Sequence, residues 1–254
     1  MPELVYPPVI TVAKGAFRWL GLQFTLTGGE HVPRTGGAVM ALNHVGYLDF
    51  TFGGYAAQPA GRFVRFMAKQ EVFAHRLAGP LMRGMHHIEV DREAGAQSYR
   101  QAVTALRNGE IVGVFPEATI SASFELKSFK TGAARLAIDA GVPLLPTVIW
   151  GSQRIMTKGR PRDLRRRHIP ILIAVGPPLA TAPGDDRVAM TAVLKERMQV
   201  LLDGLQASYP DRPSRPEDQW WLPARLGGTA PSPAEAAASE SRAAALRRAR
   251  RSAN

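Results

Sequence analysis

The chain contains no cysteine. That absence excludes disulfides, thiolate metal sites and a covalent acyl-cysteine intermediate. No uncharged stretch reaches the ~18 apolar residues a spanning helix needs, so no transmembrane segment is expected. A basic leader is missing too: Glu3 stands where one would begin, Lys14 and Arg18 interrupt the first apolar stretch, and no small-residue cleavage site follows. No signal peptide is therefore expected, and the expected location is the cytoplasm. The chain has no G-x-S-x-G elbow, which argues against a serine hydrolase, and no internal repeat.

What is present suits a globular protein. With 254 residues, 45% of them hydrophobic, the chain has enough apolar surface for one main domain with appendages. Its net charge of +11 is concentrated: Arg154 to His168 carry +6 and Arg242 to Asn254 carry +5, so the remainder is formally neutral. Such patches suit nucleic acid, anionic lipid or a polyphosphate ligand. The basic segments lack interleaved aromatics and match no recognition motif, so nucleic acid is not the expected partner. The run "KGRPRDLRRRH" at 158–168 suits coenzyme A phosphates, anionic headgroups or plain solvent, with headgroups favoured.

Residues 9 to 24 place Val9, Val12, Ala13, Ala16, Phe17, Leu20 and Phe24 on one side at helical spacing. This amphipathic helix either docks on the core or lies in a membrane interface, as Trp19 and the flanking cations suit. Then β-rich runs alternate with helical segments. Phe24–Thr27, Ala38–Leu42, Phe63–Met67, His87–Val90, Ile111–Phe115, Leu144–Trp150 and Ile171–Val175 read as strands. Glu93–Arg107, Phe129–Ala140 and Asp185–Ala207 read as helices. The rhythm predicts an α/β fold with a mixed, largely parallel sheet of about seven strands flanked by helices. Three regions are expected: an N-terminal amphipathic segment at 1–27, a main domain at 28–207, and a Pro/Gly-rich linker with a basic Ala/Arg tail at 208–254. Trp220 and Trp221 are a local anchor for that linker, and the tail is either helical or loose.

The first candidate site is "NHVGYLDF", residues 43–50. On one continuous helix His44 and Asp49 would point about 140° apart, so a bend must intervene if they pair. Gly46 supplies it, with Asp49 in the first turn of a helix through Phe52–Ala57. The carboxylate can then accept one imidazole N–H, which leaves the other nitrogen as a base. The second is "VFPEAT", residues 114–119, where Pro116 stops a strand and Glu117 projects from its edge. Arg92 leaves the strand "IEVDRE". The neighbouring His86 and His87 face opposite sides of that strand, which favours a structural role over a metal site.

Taken together, "NHVGYLD", "AKQEVF", "IEVDR", "FPEAT" and "VPLLP" resemble, in order and spacing, the glycerolipid acyltransferase family that includes 1-acyl-sn-glycerol-3-phosphate acyltransferases. The resemblance runs from about Gly28 to Val175. It implies the glycerol-3-phosphate acyltransferase-like fold and direct acyl transfer from acyl-coenzyme A or acyl-carrier protein to a glycerol hydroxyl, with no metal or other cofactor. On that resemblance His44 is the general base and Asp49 fixes its tautomer. Glu117 holds the glycerol part of the acceptor, and Arg92 and Lys69 are candidates for its phosphate. The implied setting is phospholipid synthesis at the inner face of the cell membrane, on a surface carrying anionic lipids.

Three departures from the family pattern stand out. Gly46 replaces a Ser, Ala118 replaces a Gly, and Ile120 replaces the third-block Arg. The last removes a cation expected near the acceptor phosphate, so Lys127, Lys130 or the Arg-rich stretch compensates, or the acceptor is not lysophosphatidate. Glycerol 3-phosphate and an acceptor without phosphate stay open. So does a non-catalytic module that binds nucleic acid or a lipid surface through its basic ends.

Overall fold

Seven strands form one sheet: β1 (Gln23–Thr27), β2 (Ala38–Leu42), β3 (Val64–Lys69), β4 (Ile88–Val90), β5 (Ile111–Val114), β6 (Leu144–Trp150) and β7 (Pro170–Val175). Their spatial order is β1-β7-β6-β2-β5-β3-β4. This is a computed structural model, and it describes residues 3–91, 95–161 and 167–252. Every pairing is parallel except β6 with β7. The central strands β2, β5, β6 and β7 are buried along their whole length. That burial explains their continuous Val, Ile and Leu runs, because helices cover both faces of a parallel sheet.

Alternation along the strands divides the core in two. Val39, Ala41, Val112, Leu144, Val148 and Leu172 face α5 (Gly95–Arg107), α6 (Gly132–Ala140) and α7 (Arg187–Ala207). Met40, Leu42, Ile111, Leu145, Ile149 and Ile171 face α1 (Tyr6–Trp19) and α2 (Asp49–Ala56). The expected α/β architecture with an N-terminal helix is what the chain adopts. Helix α7 docks through Leu194, Met198, Leu202 and Leu205, a stripe at three- and four-residue spacing. The Asp186 side chain accepts from the backbone N–H groups of Val188 and Ala189 and caps its start.

Several local features differ from expectation. Two short helices, α3 (Gln70–Ala74) and α4 (Ala78–Gly84), follow β3. Neither spans two turns, too few for a helical period to stand out in the sequence. On α1 Tyr6, Val9, Ile10, Ala13, Phe17 and the following Leu20 face the core, whereas Val12 and Trp19 are 73% and 66% exposed. Of the apolar stripe read for this segment, Val9, Ala13, Phe17, Leu20 and Phe24 dock, whereas Val12 and Ala16 face solvent.

Residues 208–232, read as an extended linker, fold against the globule through two 3-10 turns, Pro216–Trp221 and Ala224–Leu226. Trp221 is 1% exposed, its ring centroid 5.6 Å from that of Tyr209 and 4.6 Å from the Arg154 guanidinium carbon. Arg154 also donates to the Tyr209 hydroxyl at 2.9 Å and pairs with Asp211 at 2.5 Å. This cation of the first basic patch is therefore a packing element. The tail forms helix α8 (Pro233–Ser252). Among the described residues no helix is long and apolar enough to cross a membrane.

Because Trp221 fills the core, Trp221→Ala should cost about 3–5 kcal/mol by denaturant unfolding. A loss below about 1 kcal/mol would mean that the 208–232 segment is not part of the cooperative unit.

Candidate active site

Three adjacent parallel strands, β6, β2 and β5, end side by side, and their C-terminal ends deliver Ser152, His44 and Glu117 to one place. This is where parallel sheets gather their functional loops. Asn43 makes the exit from β2 possible. Its side chain donates to the Ile149 carbonyl at 3.0 Å and accepts from the Ile149 N–H at 2.7 Å. The amide thus stands in for a backbone pair and lets the main chain turn away from the sheet.

The turn is organised by Asp49, the first residue of α2, which is wholly buried. Its Oδ2 accepts from the N–H groups of Val45 at 2.7 Å and Gly46 at 2.8 Å, and from His44 Nδ1 at 3.0 Å. Its Oδ1 accepts from the Ser152 hydroxyl at 2.5 Å. A carboxylate is acceptor-only, so this contact selects the Nδ1–H tautomer and leaves Nε2 as the unprotonated nitrogen. The imidazole lies on the Phe115 ring, centroids 4.2 Å apart, and retains 20% exposure. It is ordered yet open.

Glu117 does not project outward from the strand edge as expected. It is 4% exposed, and its oxygens accept from the backbone N–H of His44 at 2.9 Å and of Lys127 at 3.1 Å. The carboxylate thereby ties the His44 turn to the loop after β5. Burial pushes its carboxyl up to about 7, helped by the nearby Asp49 and opposed by the two N–H groups and the Lys127 charge.

Lys127 donates to the Thr119 hydroxyl and to Glu240 of α8, both at 2.6 Å. Lys69 ends β3, the strand beside β5, and is exposed. Lys130 is exposed, and its backbone N–H donates to Pro116. Arg92 lies outside the described residues. Ile120 is 6% exposed, so the position of the family cation is an apolar packing site. Of the two histidines near β4, His87 is buried, accepts from the Phe66 N–H at 3.0 Å, and has its pKa lowered to about 4, chiefly by burial.

Two departures from the family pattern acquire a structural reason. A Cβ on Gly46 would lie 2.9 Å from the Ser152 hydroxyl oxygen. Ser152 therefore fills the space of the absent serine side chain and returns a hydroxyl to Asp49. Ala118 does adopt a left-handed backbone, at φ 61°, so it bears the strain that a glycine would avoid. Sequence reasoning missed Asn43, Ser152 and Phe115. Asn43 and Phe115 were visible as neighbours of His44 and Pro116, but Ser152 lies 103 positions from Asp49 with no local signal.

Comparison with known proteins bears on the family and the fold. A family model described as Acyltransferase matches residues 23–150. The chain belongs to the acyltransferase family. A 1-acyl-sn-glycerol-3-phosphate acyltransferase of Bacillus subtilis (strain 168) is 30% identical over 182 residues, covering 68% of this acyltransferase and 84% of its relative. One of the same name from Limnanthes alba is 32% identical over 173 residues, spanning 66% of this chain and 58% of that one. The crystal structure of the 1-acyl-sn-glycerophosphate acyltransferase PlsC from Thermotoga maritima aligns with TM-score 0.67 and 24% identity over 81% of each chain, and so shares the fold.

Two measurements follow. Ala118→Gly should raise stability by up to about 1 kcal/mol, the relief of left-handed strain less the added chain entropy. A lowered denaturation midpoint would contradict the strain. Glu117 sheds its proton at about 7 in the folded protein, against 4.5 for an ordinary solvated carboxyl, so the folded state holds the extra proton between those values. Stability referenced to Glu117→Gln should therefore fall as pH rises from 4.5 to about 7 and then level off. A rise across that window would mean that burial does not control this group.

Proposed function

We propose that this acyltransferase moves a fatty acyl chain from an acyl thioester to the free hydroxyl of 1-acyl-sn-glycerol 3-phosphate, giving phosphatidic acid. The observation that carries the reading is the His44–Asp49 pair, 3.0 Å apart, with the second imidazole nitrogen unpaired among the described residues and the ring partly exposed. The names of the Bacillus subtilis and Limnanthes alba relatives support the acceptor.

In the reaction His44 Nε2 takes the acceptor O–H proton as that oxygen attacks the thioester carbonyl carbon. The tetrahedral adduct collapses with cleavage of the C–S bond. The leaving thiolate recovers the proton from the imidazolium, so the products are an ester and a free thiol. A thiolate of pKa near ~8.5 leaves readily, and no covalent enzyme intermediate is needed. Asp49 holds the tautomer and stabilises the transient imidazolium. Glu117 is a positioning residue, acting through the His44 backbone. Lys69, Lys127, Lys130 and Arg92 are candidates for the acceptor phosphate. The donor is acyl-coenzyme A or acyl-carrier protein.

The enzyme works at a membrane surface in this reading. Leu4, Val12 and Trp19 stand out from the N-terminal segment at 78%, 73% and 66% exposure, with Lys14 and Arg18 between them. An apolar stripe flanked by cations suits an interface with anionic lipids.

The test is thiol release from acyl-coenzyme A in the presence of 1-acyl-sn-glycerol 3-phosphate. His44→Ala should lower kcat by about 100-fold or more with the fold intact by circular dichroism. Equal turnover by the two forms would remove the mechanism.

A further inference from the structure

The position expected to bring a cation to the acceptor phosphate holds Ile120, buried in the core. Two other cations converge close by. Lys127 Nζ lies 2.6 Å from Glu240 Oε2, and Lys158 Nζ lies 3.4 Å from Glu240 Oε1. The Thr119 hydroxyl accepts from Lys127 Nζ at 2.6 Å. Both lysines are tied to the His44 turn. The Lys127 backbone shares the Glu117 carboxylate with His44, and Thr157, beside Lys158, donates to the Val45 carbonyl at 2.7 Å.

Glu240 comes from α8, which is held lightly. Between Pro233 and Leu246 only Ala236, Glu240 and Ala244 are shielded, and of these only Ala236 is buried. The two lysines hold the Glu240 carboxyl below its ordinary value against the opposing effect of partial burial. One carboxylate leaves two ammonium groups half neutralised, whereas a phosphomonoester dianion matches both charges and offers the threonine hydroxyl a further acceptor.

We propose that Thr119, Lys127 and Lys158 form a phosphomonoester-binding subsite beside the His44 turn, and that Glu240 occupies it as an internal competitor which substrate displaces. This rests on the reading of a phosphorylated acceptor. The acceptor phosphate and the 3′-phosphate of coenzyme A share the chemistry. The link through Glu117 to His44 favours the acceptor.

The experiment is steady-state kinetics of the full chain, varying 1-acyl-sn-glycerol 3-phosphate and acyl-coenzyme A in turn. Wild type is compared with Glu240→Gln, Lys158→Gln and the double variant, together with hydrogen exchange of the α8 amides. Glu240→Gln should lower the acceptor KM about two- to fivefold, the worth of a partly exposed ion pair. Lys158→Gln should raise it by at least as much, and the Glu240→Gln gain should shrink in the Lys158→Gln background. In wild type, sn-glycerol 3-phosphate should speed exchange in α8. Shifts confined to the acyl-coenzyme A KM would assign the subsite to the donor phosphate instead. Unchanged KM values and exchange in an enzyme that acylates the phosphorylated acceptor would overturn the subsite and leave the proposed function standing. Transfer only to phosphate-free acceptors would overturn both.

Discussion

A carboxylate with no exposure to solvent is costly unless both of its oxygens find donors. Asp49 meets that condition with two backbone N–H groups, a serine hydroxyl and an imidazole. The same four contacts bend the chain after β2, start α2 and fix the tautomer of His44. Oδ2 gathers the imidazole and both backbone N–H groups and Oδ1 takes the serine hydroxyl, so the conformation of the turn and the tautomer of the histidine are bound together.

Around that carboxylate the sheet acts as a frame. Parallel strands present their C-terminal ends on one edge, so residues distant in sequence arrive as neighbours: Ser152 from the end of β6, His44 from β2 and Glu117 from β5. Glu117 serves as a second brace, accepting from two backbone N–H groups on separate loops. Its raised pKa is the consequence of placing a carboxyl where water cannot reach it. The cost falls on the folded state at neutral pH, and the gain is a defined position for the imidazole.

The departures from the family pattern are not independent defects. Gly46 lacks a hydroxyl, and Ser152 supplies one into the same space. Ile120 lacks a charge, and Lys127 and Lys158 stand near, already engaged with Glu240. Ala118 has no such compensation and keeps its left-handed backbone angle. Two of the three departures thus have another side chain in or beside the vacated place.

The sequence by itself determined all seven strands to within two residues at each end and the main helices. It also allowed His44 to pair with Asp49 through a bend at Gly46, and the resemblance to the family named that pair, while the contact itself was left to the fold. The short helices α3 and α4 escaped it, since fewer than two turns carry too little periodicity. The two faces of α1 and the docking of Trp221 depend on which surface lies opposite, which no local pattern states. Only the tertiary structure decided that Glu117 turns inward, that Ser152 completes the Asp49 shell and that Glu240 reaches Lys127. Each joins residues from separate elements, and their meeting depends on strand order in the sheet and the path of the chain after α7, neither of which is encoded in sequence spacing.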